Sequence, residues 1–442
     1  MQGTGASREG WVQVISAYAG WLMDGYTTIA YALAAVTLSS LFFPSRIGFF
    51  GLIATFGGLA SEEVARPVGA VILGNFLGDR VGRKSMLTLT ILGFSLFSAA
   101  KGLLPTYSTA GFLAPPLLLY ILLFAEGLFA GAEYGGGTAL SMESVPARIR
   151  GPVGAFVQSG YGTGFFIVSF VYAALSTHYG QAGFTAMGWR ILFFTTAVPG
   201  LLTLAIRAAA RESGVFSDMK ERQEIEKEPV SALFTRGWAP PLAFSLVLTS
   251  GLLFINAATF TFYPSLLSIL HPGISGSLVG TYSAYINLVS LFGVWLGGLI
   301  ALMVPGRRVA MLVYGLTFTV TVYPPTAFFA FHGTPSLDLA MFSVQAFFEA
   351  MVFSTLPAFL SETFSKKYRA TGVGVRLQRG WCDGRVRDIH SSLHLRPGEE
   401  PFHGLDYVAA DSGRGHAGRD CPVQGDLEEG GRRGCDHVVT VP

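Results

Sequence analysis

At 442 residues, with 51% hydrophobic and only 13% charged side chains, the chain is too apolar for an ordinary soluble protein. The formal net charge of +2 says nothing about nucleic acid, because the basic residues are spread among the loops. Apolar runs longer than the ~18–20 residues needed to cross a bilayer recur along the chain, so it reads as an all-α polytopic membrane protein.

Taken in order, the pattern predicts ten spans, at about 11–42, 48–77, 85–104, 112–140, 152–176, 190–207, 238–269, 276–303, 309–331 and 337–360. The run from Trp11 is too long for a cleavable signal peptide. The cysteines Cys382, Cys421 and Cys435 all lie in the last 68 residues, so disulfides play no part in the membrane portion.

Between the second and third spans lies a short basic loop, Gly74-Asn75-Phe76-Leu77-Gly78-Asp79-Arg80-Val81-Gly82-Arg83-Lys84. Gly74 and Gly78 form a small-xxx-small pair that admits a neighbouring helix backbone. Arg80, Arg83 and Lys84 mark the cytoplasmic side. The lead and every second loop together hold seventeen Lys and Arg, including Arg8, Arg148, Arg150, six from Arg207 to Arg236, Arg307 and Arg308. The other side holds Arg46, Lys101 and Arg190, which predicts a cytoplasmic N-terminus.

Residues 208–236 carry mixed charges at i,i+3 and i,i+4 spacing, as a solvated linker helix does. On both sides of it the signatures repeat. Gly298, Gly306, Arg307 and Arg308 reproduce Gly74, Gly82, Arg83 and Lys84 at an offset of 224. Glu362, Lys367 and Arg369 reproduce Glu143, Arg148 and Arg150 at 219. The expected organisation is a six-helix bundle over 1–207, the linker, a second bundle over 237–374, and a polar tail over 375–442. Parallel repeats of this kind place a transport site between the halves near the bilayer midplane. The tail holds 20 of the 58 charged residues, five of the eight histidines and no span-length apolar run. Its abrupt onset after Gly374 reads as a shifted frame or a missed splice, with a natural disordered tail as the alternative.

The GxxxGDRxGRK loop resembles the signature of the major facilitator superfamily of transporters. Further residues resemble its metabolite:proton symporter branch: Ala65-Arg66-Pro67-Val68-Gly69-Ala70, Leu104-Pro105-Thr106-Tyr107, Ala114-Pro115, Gly131-Ala132-Glu133-Tyr134-Gly135-Gly136, Gly188-Trp189-Arg190 and Arg211-Glu212-Ser213-Gly214-Val215-Phe216. The resemblance implies two six-helix bundles, of which ten helices are readable here, and symport of small carboxylates or zwitterions with protons. In two places the chain departs from that branch. An Arg-x-x-Gln-Gly motif of the fourth helix reads Leu123-Phe124-Ala125-Glu126-Gly127, and a first-helix Asp-Gly-Tyr-Asp reads Asp24-Gly25-Tyr26-Thr27.

An ionisable group in hydrocarbon costs at least ~2.5–3.5 kcal/mol, so Asp24, Glu62, Glu63, Arg66, Glu126, Glu133 and Glu349 each need a reason. Arg66 has two readings: a local pair with Glu62 and Glu63, or an anchor whose planar fork takes a substrate carboxylate. Asp24 is either a proton or cation site or a helix-to-helix hydrogen bond. Glu126 is the deeper proton carrier of the fourth span, and Glu133 a partner for the Arg80 loop. Gly127, Gly131 and Gly135 form a ladder for close helix packing. Gly160, Gly162 and Gly164 are expected to loosen the fifth span. Gln158 and Asn256 are the uncharged polar candidates, one from each half. Gly74, Gly78, Asp79, Arg80, Gly82, Arg83, Lys84, Glu143, Arg148 and Arg150 form the expected gating loops.

The expected function is proton-coupled transport of a small organic anion or zwitterion by alternating access in the plasma membrane, by a monomer with no cofactor, metal or nucleic-acid partner. A non-transporting nutrient sensor on the same fold and a sugar- or sialate-type transporter are the alternatives. No nucleotide-binding P-loop and no catalytic cluster appear, so an enzyme is not expected.

Overall fold

Alternating apolar runs and charged turns build a succession of long helices. The computed structural model describes residues 7–43, 49–70, 72–73, 83–209, 239–304 and 306–363, and among these no strand forms. Gly74, Gly78, Asp79, Arg80 and Gly82, nearly all of the expected linker, Lys367, Arg369 and the tail lie outside the described residues.

The first span, Arg8–Phe42, starts where Ser7 Oγ accepts a hydrogen bond from the Gly10 N–H at 3.0 Å. The second is Phe49–Gly69, the third Arg83–Ala100, the fourth Ala114–Glu143 and the fifth Arg150–Gly183. The sixth is split into Trp189–Thr195 and Ala197–Ala209, and the seventh into Ala239–Ala258 and Tyr263–Leu270. The eighth is Gly276–Ile300. The ninth joins Arg307–Leu316 to Tyr323–Phe331 through a π-turn, and the tenth joins Pro335–Ser354 to Leu356–Thr363. A proline follows each interruption, Pro199, Pro264, Pro324 and Pro357, and each removes one i→i−4 donor.

Eight stretches are long and apolar enough to cross a membrane, one of them running from Ala147 to Ala208 through two spans. The second span stands apart because it carries Glu62, Glu63 and Arg66. Helices are present in all ten expected spans; the fifth runs to Gly183, past its expected end at 176, and the end of the second, expected at 77, lies outside the described residues.

Glycine sets the packing. A Cβ on Gly131 would strike the Arg66 backbone, and one on Gly127 would strike the Glu62 carbonyl. The glycine ladder of the fourth span is therefore the surface that brings the second span close enough to present its charged face. Gly160 and Gly164 press the fifth span onto the Tyr18 and Leu22 carbonyls of the first, while Gly162 meets Leu291 of the eighth. These glycines do not loosen the fifth span; they let it pack on both halves at once. Gly298, one of the repeat glycines, abuts Ala155 across the halves in the same way.

Candidate functional site

Three clusters of buried charge lie in the N-terminal half. In the first, Arg66 donates from Nη1 to Asp24 Oδ2 at 2.8 Å and from Nη2 to Asp24 Oδ1 at 2.7 Å. Its Nη2 also reaches Glu62 Oε1 at 2.7 Å, and its Nε stands 3.4 Å from Glu63 Oε1. The local pair expected from sequence is present, and a two-pronged bridge to the first span, which sequence reasoning missed, is added to it. Pro67 leaves the Glu63 carbonyl without its helical donor, so the second span is weakened at the arginine.

The second cluster concerns Lys101 and Glu126. Lys101, counted from sequence among the charges of the non-cytoplasmic side, is 1% exposed at the end of the third span and bonds Glu126 Oε2 at 2.6 Å. Its ammonium also lies 5.6 Å from the Tyr31 ring centre and 5.2 Å from that of Phe193. A buried ammonium is tolerated because a buried carboxylate compensates it, so Glu126 is not a lone acid.

In the third cluster Glu133 pairs with Arg207; the Arg80 loop, its expected partner, lies outside the described residues. Arg207 Nη1 donates to Glu133 Oε2 at 2.8 Å, its Nη2 to Glu133 Oε1, and its Nε to Ser16 Oγ at 3.2 Å. Thr90 Oγ1 donates to Glu133 Oε2 at 2.8 Å. Arg207, counted from sequence as the first basic residue of the linker, is thus buried inside the bundle. A lysine or arginine at the end of an apolar run looks like a loop residue; an unpaired acid deeper in the next helix is the signal that it is not.

Arg66 and Glu63 line two adjoining cavities. One, of about 890 Å³, runs between the second and fourth spans and the Leu253–Phe262 stretch of the seventh, with Trp21 and Tyr134 on its wall. The other, about 70 Å³, lies between the halves and brings Asp24, Gln158 and Tyr161 together with Asn256, Ser290 and Phe353. Trp21 joins the aromatic wall, its ring 4.5 Å from Tyr134 and 5.5 Å from Tyr161. Trp21 Nε1 and Gln158 Oε1 are buried without a hydrogen-bond partner, a donor and an acceptor held in reserve beside the charges.

Of the expected site residues, Asp24, Glu63, Arg66, Gln158 and Asn256 meet at these cavities, and Glu62 braces Arg66 from behind. Glu126 and Glu133 form separate pairs. Of the expected gating residues, Lys84 donates to the Ala208 carbonyl at 3.4 Å and Arg150 Nε to the Met142 carbonyl at 2.9 Å. Arg83 opens the third span, and Glu143 and Arg148 flank the turn between the fourth and fifth spans.

Residues 22–377 match the family model described as Major Facilitator Superfamily. The chain belongs to that superfamily. It is 30% identical over 371 residues to the inner membrane metabolite transport protein YhjE of Escherichia coli (strain K12), covering 81% of this chain and 82% of that one. It is 28% identical over 376 residues to the shikimate transporter of the same strain, covering 82% and 83%. It is 31% identical over 268 residues to that strain's proline/betaine transporter, covering 58% and 52%. The superfamily fold is shown by the proton:xylose symporter XylE bound to 6-bromo-6-deoxy-D-glucose, which overlays with a TM-score of 0.66 at 18% identity over 83% of this chain and 85% of that one. The chain is therefore an integral membrane transport protein of the Major Facilitator Superfamily, not an enzyme.

Proposed function

We propose that the protein is a secondary active transporter that carries a small carboxylate or zwitterion together with a proton by alternating access. The observation that carries this reading is the Arg66 cluster, where three carboxylates surround one guanidinium at the edge of a cavity. A substrate carboxylate competes with Asp24 for the same fork. Four carboxylates do not all stay ionised around a single guanidinium in a site largely shielded from water, so substrate binding and proton uptake are linked. Asp24, Glu63 and Arg66 line the smaller cavity, and Gln158 and Asn256 supply uncharged contacts from the two halves.

The relatives support the substrate class, since a shikimate transporter and a proline/betaine transporter carry an anion and zwitterions. The positive-inside pattern supports a cytoplasmic N-terminus in the plasma membrane. The working unit is a monomer, and gating uses the basic turns around Lys84, Arg148 and Arg150.

Reconstitution into liposomes tests the proposal. With an inward proton gradient, labelled carboxylates or zwitterions should accumulate above equilibrium and each addition should alkalinise the outer medium. Binding without gradient-driven accumulation would replace transport by the sensor reading.

A further inference from the structure

Glu349, in the tenth span, is 1% exposed and is the buried acid for which the Arg66 cluster offers no role. Among the described residues it has no ion-pair partner. Its Oε2 lies 2.6 Å from Thr259 Oγ1, and its Oε1 is buried with no hydrogen-bond partner. Thr259 Oγ1 is also 2.7 Å from the Ile255 carbonyl.

A threonine hydroxyl has one hydrogen to give, and a backbone carbonyl can only accept. Both short contacts are satisfied together when Glu349 carries a proton, donates it to Thr259 Oγ1, and Thr259 donates to Ile255. An ionised Glu349 would compete with Ile255 for that hydrogen and would have only the Asn256 side chain as a further donor, too little for a carboxylate shut off from water.

Thr259 begins the break in the seventh span. Phe260 and Phe262, next to it, close on the N-terminal half, with ring centres 6.3 Å from Phe165 and 5.2 Å from Phe56. Beyond the break, Tyr263 Oη donates to Gln345 Oε1 at 2.9 Å and its ring stacks on Phe342 at 4.5 Å. His271 Nε2 meets Asp338 Oδ2 at 2.6 Å. The short second piece of the seventh span is thus fastened to the tenth at three levels, and Glu349–Thr259 is the level nearest the cavities.

We propose that Glu349 is a proton-binding site of the C-terminal half, filled in this conformation, and that releasing its proton to water frees the Thr259 corner and withdraws the Phe260–Phe262 closure. The titratable and charged groups on the elements packed against the tenth span include Tyr263 beyond the break, His271 with Asp338 at the far end of the same piece, Tyr282 and Tyr285 of the eighth span, Arg307, Arg308, Tyr314 and Tyr323 of the ninth, and Tyr161 of the fifth. Of these, His271 is the competing explanation for any pH response near neutrality. The inference rests on alternating access as proposed above, not on the substrate.

Spin labels at Ser108→Cys and Ile269→Cys, in a chain with Cys382, Cys421 and Cys435 replaced by serine, report the separation of the halves in purified protein without substrate or gradient. The expected parent behaviour is a longer-distance population rising from minor to major over about two pH units, as one proton is lost. Glu349→Gln should hold the short distance at every pH, and Thr259→Val, which removes the acceptor of the Glu349 proton, should move the midpoint to lower pH. An unchanged profile in Glu349→Gln overturns the proposal. So does a profile kept in that variant and lost in His271→Asn, which would assign the switch to the His271–Asp338 pair. Should Glu349→Gln fail to fold, an unshifted midpoint in Thr259→Val overturns it instead. Failure of the parent to accumulate substrate in liposomes bears on the transport reading alone, because the distance measurement needs neither substrate nor gradient.

Discussion

Asp24 and Arg66 meet across the first and second spans through two parallel hydrogen bonds of 2.8 and 2.7 Å, while Glu62 holds the same guanidinium from one turn below. On the proposed reading, the first span supplies an acid that a substrate displaces, and the second supplies one that stays. An arginine braced in this way keeps its orientation when its outer partner changes, which is what a carboxylate anchor requires.

Arg66→Lys keeps the charge and loses the fork. Carboxylate affinity should fall about tenfold or more, the worth of one charge-assisted hydrogen bond. Competition binding with a series of carboxylates measures it, and undiminished affinity would make Arg66 a structural partner of Asp24.

Asp24→Asn removes the displaceable charge and leaves Glu62 and Glu63 on Arg66. Exchange of labelled for unlabelled substrate across the liposome membrane should persist, while gradient-driven accumulation is lost. Accumulation at the parent level would move coupling away from this pair.

Glu126→Gln strands the Lys101 ammonium in the bundle, so its first effect should be on stability. A loss of about 3–5 kcal/mol is expected from uncompensating one member of a buried pair, and Glu126→Gln with Lys101→Met should recover most of it. Thermal unfolding in detergent measures both. A stable single variant with normal folding and lost accumulation would return Glu126 to the role of proton carrier.

Gly131→Val would drive a side chain into the Arg66 backbone, and something must shift. Overpacking of this kind costs about 1–3 kcal/mol, and here it also displaces the anchor. The expected outcome is lower yield of folded protein together with weakened substrate binding. Normal binding would show that the second and fourth spans can separate without moving Arg66.

The superfamily match stops at residue 377, three residues after Gly374, where the polar composition begins. We propose that the nucleotide sequence beyond the Gly374 codon, read in another frame or across an intron, encodes two further apolar runs of ~20 residues. Their absence from every frame would make the polar tail a genuine segment of the protein.

Hydropathy, loop charge and glycine spacing sufficed to place the ten spans, the family resemblance and the ladder Gly127-Gly131, because each depends on local sequence and on a bilayer that every span must satisfy alone. Asp24 and Arg66 could be recognised as costly residues for the same reason. Which charge neutralises which was decided only by the tertiary structure. Arg66–Asp24, Lys101–Glu126 and Arg207–Glu133 join residues 42, 25 and 74 positions apart, and Glu349 meets uncharged Thr259 from 90 positions away. Hydrophobic pattern records the depth of a side chain but not its azimuth or its neighbour. Lys101 and Arg207 therefore looked like charges at the ends of their spans, and the proposal for Glu349 arose only once the single hydrogen of Thr259 had two acceptors in reach.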